Sequence, residues 1–217
     1  SSGYTSAGIL QSLSQWFGRQ VDTRALKDRW TEADPQHPGR NFNWNHSYHD
    51  NPYWTLNKNT NSRVRNRVMG NVNLKWDITD YLSIDGMAGV DYYSQEIMQV
   101  RAKGSNDWKD GRFDNYLSTR RSTIARARLN FNKTFGDFSV VALAGGEYNN
   151  YKYNDNNTYV DQLIIPDLYA VSNAAVAART GMYYQESELQ SVYGQVNLGF
   201  RNWLFLDLTG RNDWSST

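Results

Sequence analysis

His46 and His49 lie three positions apart beside Asp50, a spacing that can place two imidazoles on one metal in a turn. Their segment supplies no third strong ligand, so packing and hydrogen bonding within a loop is the alternative, and no metal is expected. Asp155, Asn156, Asn157 and Thr158 offer oxygen donors without the acid and glycine spacing of an EF-hand, as a solvated loop tip would. Arg126 and Arg128 with Glu147, and the row Arg63, Arg65, Arg67, could line a solute path; a wetted face balanced by acids is the other reading. Tyr116, Tyr151, Tyr153, Tyr159, Tyr183 and Tyr184 stand among amide side chains. Such rings offer apolar faces while amides both donate and accept, a combination suited to sugars, peptides or a protein partner, and equally to loop-on-loop packing. Tyr116, Tyr151, Tyr153, Tyr159, Tyr183, Tyr184, Arg126, Arg128 and Glu147 are the candidate substrate-binding residues. No Walker sequence occurs, no carboxylate pair can be assigned acid and base roles, and all three histidines fall in one loop. Neither enzyme chemistry nor a cofactor is expected.

The elements that must position these side chains announce themselves by a period of two. From Arg63 to Ile78 the even positions include Val64, Val68, Val72, Leu74, Trp76 and Ile78, and the odd ones Arg63, Arg65, Arg67, Asn71, Asn73, Lys75 and Asp77. The alternation returns in Leu82 to Tyr92, in Thr119 to Phe131, in Phe138 to Tyr148, and in Val192 to Phe200 against Leu204 to Gly210. Six strands in three hairpins follow, with tiny turns near Thr79 to Tyr81, Gly136 to Asp137 and Arg201 to Trp203. The runs exceed the roughly 5 or 6 residues usual in soluble strands and the roughly 9 to 11 that cross a bilayer. The expected fold class is all-β: an antiparallel transmembrane β-barrel segment.

Composition agrees once the two faces are counted separately. Of 217 residues 39% are apolar, and the mean hydropathy of −0.75 suits strands of which half the positions face a polar lumen. A net charge of +1 gives no electrostatic footprint for nucleic acid. The absence of cysteine excludes disulfides and thiolate metal sites. Trp76 and Tyr81, Phe135 and Phe138, Phe200 and Trp203 flank the short turns as a membrane-interface girdle would; strand propensity is the alternative.

Short turns alternate with long connections, which makes Gln95 to Leu117 and Asn149 to Tyr184 the expected external loops. Parity sets trial registers, pairing Arg126 with Glu147 and Lys75 with Asp85. Gly136-Asp137 suits a type II′ turn. Residues 1–61 differ: Ile9, Leu10, Leu13, Trp16 and Phe17 keep helical spacing, Asp22 or Thr23 would cap a second short helix through Ala25, Leu26 and Trp30, and Asp34 to Asn61 reads as an ordered loop. We expect 1–61 to be an external loop region with short helices and 62–217 to hold barrel strands and external loops.

Five segments taken together resemble one family: GRQVDTRALKDRW (Gly18 to Trp30), NPYWTLNKNTN (Asn51 to Asn61), RVMGNVNLKWDITDYLSI (Arg67 to Ile84), IIPDLYAVSNA (Ile164 to Ala174) and LTGRNDWSST (Leu208 to Thr217). They are similar to the SusC/RagA family of TonB-dependent outer-membrane transporters. The resemblance implies a barrel of about 22 strands with an N-terminal plug, placed in the outer membrane of a Gram-negative bacterium and surrounded by its lipid. It further implies a SusD-like surface lipoprotein as lid, the TonB complex acting through the plug, and uptake of an oligosaccharide or peptide cargo. Plug and barrel-closing strands have no counterpart in this sequence, which reads as an internal barrel portion. The rival expectation is a secreted, soluble β-sandwich glycan-binding module, which would pack two sheets face to face.

Overall fold

The computed structural model describes residues 17–201 and 203–216. Six strands, β1 (Asn61–Thr79), β2 (Leu82–Arg101), β3 (Arg112–Phe135), β4 (Phe138–Val160), β5 (Arg179–Phe200) and β6 (Leu204–Ser216), form one sheet in strict sequence order. Two short helices precede them, α1 (Thr23–Asp28) and α2 (Pro52–Asn57). No described helix is long and apolar enough to cross a membrane, a statement without bearing on strands. The second sheet that the sandwich alternative requires does not form among the described residues.

Why these segments are strands is plainest in the last hairpin. Val196 lies opposite Leu208, Leu198 opposite Leu206 and Phe200 opposite Leu204, while Gln195 meets Thr209, Asn197 meets Asp207 and Ser191 meets Asp213. Alternation thus sorts apolar and polar side chains onto opposite faces, and a slip by one residue would exchange them. The turns obey their chemistry. Gly136 takes φ 59, as the first central position of a type II′ turn demands, and Arg201 takes φ 49 in the three-residue turn before β6. Neighbouring hairpins are laced together: Arg201 N–H donates to the Asp137 carbonyl at 2.9 Å, and the Asn132 N–H of β3 to the Tyr81 carbonyl at 2.8 Å.

The strands run further than the loop expectation allowed. The long connections shrink to residues 102–111 and 161–178, and Asp155 to Thr158 lie inside β4 rather than at a loop tip. The helix expected over Ile9 to Trp16 lies outside the described residues. The second expected helix is α1, with Asp22 as its cap: Asp22 Oδ1 accepts from the Arg24 and Ala25 N–H groups, each at 3.0 Å. Asn51 caps α2 in the same way.

Two compact units can be separated. The first comprises residues 17–64, 96–117 and 156–181, the second 65–95, 118–155 and 182–216. The first has its own small apolar core of Val100, Phe113, Val160 and Leu163, packed by Met98 and Tyr169. A buried polar chain accompanies it. Asp50 Oδ1 accepts from the Asn106 N–H at 2.6 Å and Asp50 Oδ2 from Asn59 Nδ2 at 3.1 Å, and Asn59 Oδ1 accepts from the Ala102 N–H at 2.8 Å. Burial pushes the Asp50 carboxyl above its ordinary range, against the donors that face it.

The second unit shows the reverse of a buried core. Its even-numbered apolar positions on β1 stand open, with Val68 68% and Leu74 72% exposed, and Trp76 and Trp203 lie exposed near the turns. Single exposed apolar residues are ordinary, whereas a contiguous face of them marks a surface that something apolar covers.

Candidate functional site

The polar face of the second unit is where the sequence-singled side chains begin to converge. Arg67 makes a two-pronged pair with Asp91, with Nη2 2.5 Å from Oδ2, and Arg128 Nε lies 2.9 Å from Asp85 Oδ2. The residues expected to lie opposite one another do not form ion pairs on this face. Lys75 lies 2.9 Å from Asp77 on its own strand, while Asp85 is taken by Arg128 and Asn130 across β2 and β3. Glu147 accepts from Asn149 at 2.7 Å, and Arg126 Nε is buried without a hydrogen-bond partner. Parity placed Arg126 and Glu147 on one face, but long side chains choose the neighbour their rotamers reach first, i±2 or diagonal as readily as opposite.

Tyr153 and Tyr183 do meet, with ring centroids 5.9 Å apart at 56°. Tyr151 lines a hollow of about 180 Å³ with Ser122, Asn149, Ser187 and Ser215. Tyr184 goes the other way. Its hydroxyl donates to Glu186 Oε2 at 2.5 Å, and Lys152 Nζ lies 2.6 Å from Glu186 Oε1, with Asn150 Nδ2 donating to the same oxygen at 2.9 Å. Lys152, Glu186 and Asn150 share the even parity of Val140, Val192 and Leu198, so the apolar face of β4 and β5 turns polar partway along these strands.

Tyr116 and Tyr159 belong to the first unit, edge to face at 5.8 Å. Arg112 and Arg179 approach the Tyr159 ring at 5.9 and 5.3 Å. Both cations bind Asp161, at 3.1 and 2.8 Å, and Arg179 holds that carboxyl below its ordinary range. Every charge here is answered within the cluster, so Arg112, Asp161 and Arg179 fasten the starts of β3 and β5 to the end of β4.

The histidines form two separate stacks instead of one ligand pair. His49 lies parallel to Trp44, with centroids 5.8 Å apart. His46 stacks on His37 at 3.6 Å and 20°, and the buried Asp34 bridges them, Oδ1 at 3.2 Å from His37 Nδ1 and Oδ2 at 3.0 Å from His46 Nε2. The donor atoms of Asp34, His37 and His46 lie within 4.8 Å of one another, as a metal cluster by distance alone would. Imidazole lone pairs lie in the ring plane, however, and one ion cannot occupy two nearly parallel planes that far apart. The trio is a clasp in which one carboxylate holds two loop histidines. Burial lowers the His46 pKa, with His37 and Arg40 pushing the same way and Asp34 opposing.

Sequence reasoning missed Tyr93 and Arg120. The Arg65 guanidinium stands 4.7 Å from the Tyr93 ring centre and the Arg120 guanidinium 5.5 Å from it, and Arg120 also lies 4.9 Å from Tyr153. The signal was present in parity: Arg65, Tyr93, Arg120, Tyr153 and Tyr183 all occupy the polar face of successive strands.

No family model matches the sequence, and no curated protein matches it. Solved structures do. One, of the RagAB peptide transporter, superposes with a TM-score of 0.69 at 19% identity over 77% of this chain. Another, of the RagAB peptide importer in its closed-closed state, gives 0.71 at 18% identity over 78%. This chain covers 19% of the length of each of those chains. At such identity the likeness is one of fold: six long antiparallel strands arranged as a segment of a transporter barrel.

Proposed function

We propose that the chain supplies wall and external loops to a TonB-dependent importer in the outer membrane of a Gram-negative bacterium, working with a SusD-like surface lipoprotein to take up oligosaccharides or peptides. The observation that carries the reading is the exposed apolar face of the six-stranded sheet, flanked by aromatic residues at the turns and giving way to Asn150, Lys152 and Glu186 along β4 and β5. Water would not tolerate such a face, whereas a hydrocarbon layer ending at the polarity change would cover it. The structural likeness to a peptide transporter supports the same reading.

Within it, the chain binds, guides and seals, and no covalent chemistry is implied. Cargo would engage side chains on the polar face and in the external loops, candidates being Tyr116, Tyr151, Tyr153, Tyr159, Tyr183, Arg126, Arg128 and Glu147. Tyr184, turned to the other face with Glu186, is placed to meet headgroups or a neighbouring protein instead. TonB-driven movement of a plug would open the path. The test has two arms in the native host: uptake of labelled oligopeptides and oligosaccharides with and without a functional TonB complex, and identification of lipoproteins that co-purify with the protein in mild detergent. TonB-dependent uptake with a stoichiometric lipoprotein is expected; TonB-independent uptake with no lipoprotein would sink the proposal.

A further inference from the structure

Five side chains from five successive strands form one continuous row on the polar face. Arg65 of β1 lies 4.7 Å from the ring of Tyr93 on β2, and Arg120 of β3 approaches that ring at 5.5 Å and the ring of Tyr153 on β4 at 4.9 Å. Tyr153 in turn meets Tyr183 of β5 at 5.9 Å. Tyrosine faces attract guanidinium groups through the ring quadrupole, and a stacked guanidinium keeps its N–H groups in the plane; Arg65 gives Nε and Nη2 to Gln95, so its Nη1 side is what remains for cargo.

Charge sets this row apart from two of its neighbours on the face. Arg67 is answered by Asp91 and Arg128 by Asp85. Arg65 and Arg120 make no ion pair among the described residues; Arg65 places Nε and Nη2 on the neutral Gln95 Oε1 at 2.9 and 2.5 Å, and Arg120 has the two rings. Both arginines are exposed, while Tyr93 and Tyr153 are half-buried. Rings therefore hold two cations in fixed places without cancelling either charge. Wall packing alone needs no such arrangement, because Arg67 and Arg128 are held by carboxylates instead.

Resting on the proposed importer function, we infer that the row Arg65–Tyr93–Arg120–Tyr153 is a selectivity station for cargo bearing carboxylate groups. A planar carboxylate matches the guanidinium fork with two parallel hydrogen bonds, and the flanking rings receive the apolar faces of the residue or sugar that carries it. Two stacked guanidiniums separated by one ring offer successive stops, so a carboxylate leaving one meets the next without passing through bare water. No bond is made or broken, and the cation at each stop is permanent because guanidinium does not lose its proton in proteins.

The test compares matched probes in cells carrying the intact protein. One pair is an oligopeptide with a free C-terminal carboxylate and its C-terminal amide; the other is an oligouronate and the corresponding neutral oligosaccharide. The peptide and sugar pairs distinguish the two sources of the carboxylate. Wild-type protein should take up the carboxylate member of at least one pair preferentially, and added salt should reduce the preference. Combined Arg65→Gln and Arg120→Gln should reduce uptake of that member about tenfold, the scale of one charge-assisted hydrogen bond, and leave its neutral partner within about twofold. Arg120→Lys, which keeps the charge and loses the fork, should fall between. Heat-modifiable gel mobility and surface labelling establish that each variant is assembled.

Equal uptake of both members by the wild type overturns the inference, as does an equal loss of both members in an assembled double variant. Loss of both through failed assembly is resolved by Arg120→Lys: unchanged preference in that assembled variant also overturns it. A protein that takes up the neutral probes in a TonB-dependent way without carboxylate preference would leave the importer reading standing and remove only the station.

Discussion

Trp54 and Ser105, fifty-one positions apart, are both buried, and the indole Nε1 donates to the Ser105 Oγ at 2.9 Å. The same hydroxyl donates onward to Asn59 Oδ1 at 2.9 Å. One small side chain thus satisfies a large one and passes the hydrogen bond to the chain that ends at Asp50.

Ser105→Ala strands the Trp54 N–H and removes a donor from Asn59 in a site without water access. The first unit should lose about 1–3 kcal/mol of local stability, read as faster hydrogen exchange at the Ala102 and Asn106 amides, which hydrogen-bond to Asn59 and Asp50. Unchanged protection at both amides would mean that the chain of hydrogen bonds carries no stability.

Acid should open the His37–Asp34–His46 clasp. His46 has its pKa lowered from an ordinary value of 6.5, first by burial, so the folded form binds its proton less readily than the unfolded one. The sign follows: the contribution is intact above 6.5 and is lost as pH falls below it toward the lowered value. Asp34 behaves differently. Burial raises its pKa, but the Gln36 N–H, the His37 ring, the nearby His46 and the His37 N–H together hold it below 3.8, so its share is lost only in stronger acid. The Asp34 and Arg40 amides, which bond to the Arg40 and His37 carbonyls, should lose exchange protection just below pH 6.5, and His46→Gln should abolish that step. A profile indifferent to His46→Gln refutes the clasp.

Val196→Arg places a charge in the apolar stretch that ends at Phe200. If hydrocarbon covers this face, the variant should cost about 2–4 kcal/mol of barrel stability near the bilayer midplane, against about 0–1 for Gln190→Arg beyond the polarity change. Urea unfolding in lipid vesicles measures both. Equal costs at the two positions would contradict a bilayer ending between them.

Gly145 sits where a Cβ would lie 2.9 Å from the Ala127 carbonyl oxygen and 2.9 Å from Tyr193 Cζ. The ring can move but the neighbouring backbone cannot. Gly145→Ala should destabilise the wall by about 1–3 kcal/mol, and adding Tyr193→Ser should recover only part of the loss. Full recovery would locate the whole clash in the ring.

How much of this was written in the sequence depends on what each feature needed. Hairpins are local, so Gly136-Asp137 and the alternation through Val192 to Leu208 revealed a turn and a register without knowledge of distant residues. Ion pairs are a choice among several reachable neighbours. Lys75 took Asp77, and Arg126 left Glu147 to Asn149, because periodicity fixes a face and leaves the rotamer open. The strand end of β4 escaped for a related reason: Asn154 to Thr158 are polar at every position and carry no alternation to read. The row through Arg65, Tyr93 and Arg120 needed the sheet order as well as parity, since those residues come from three strands.

Because the strands lie side by side in the order they are made, each has as partners only the segments just before and just after it. Growth of such a wall is accretive: a new hairpin closes a short loop onto an edge already present, at little entropic cost, and disturbs no pairing laid down earlier. A duplicated or deleted hairpin would change the breadth of the sheet by two strands and leave the remaining registers as they were, so a sheet laid down in this order can vary its width and its long connections by whole modules.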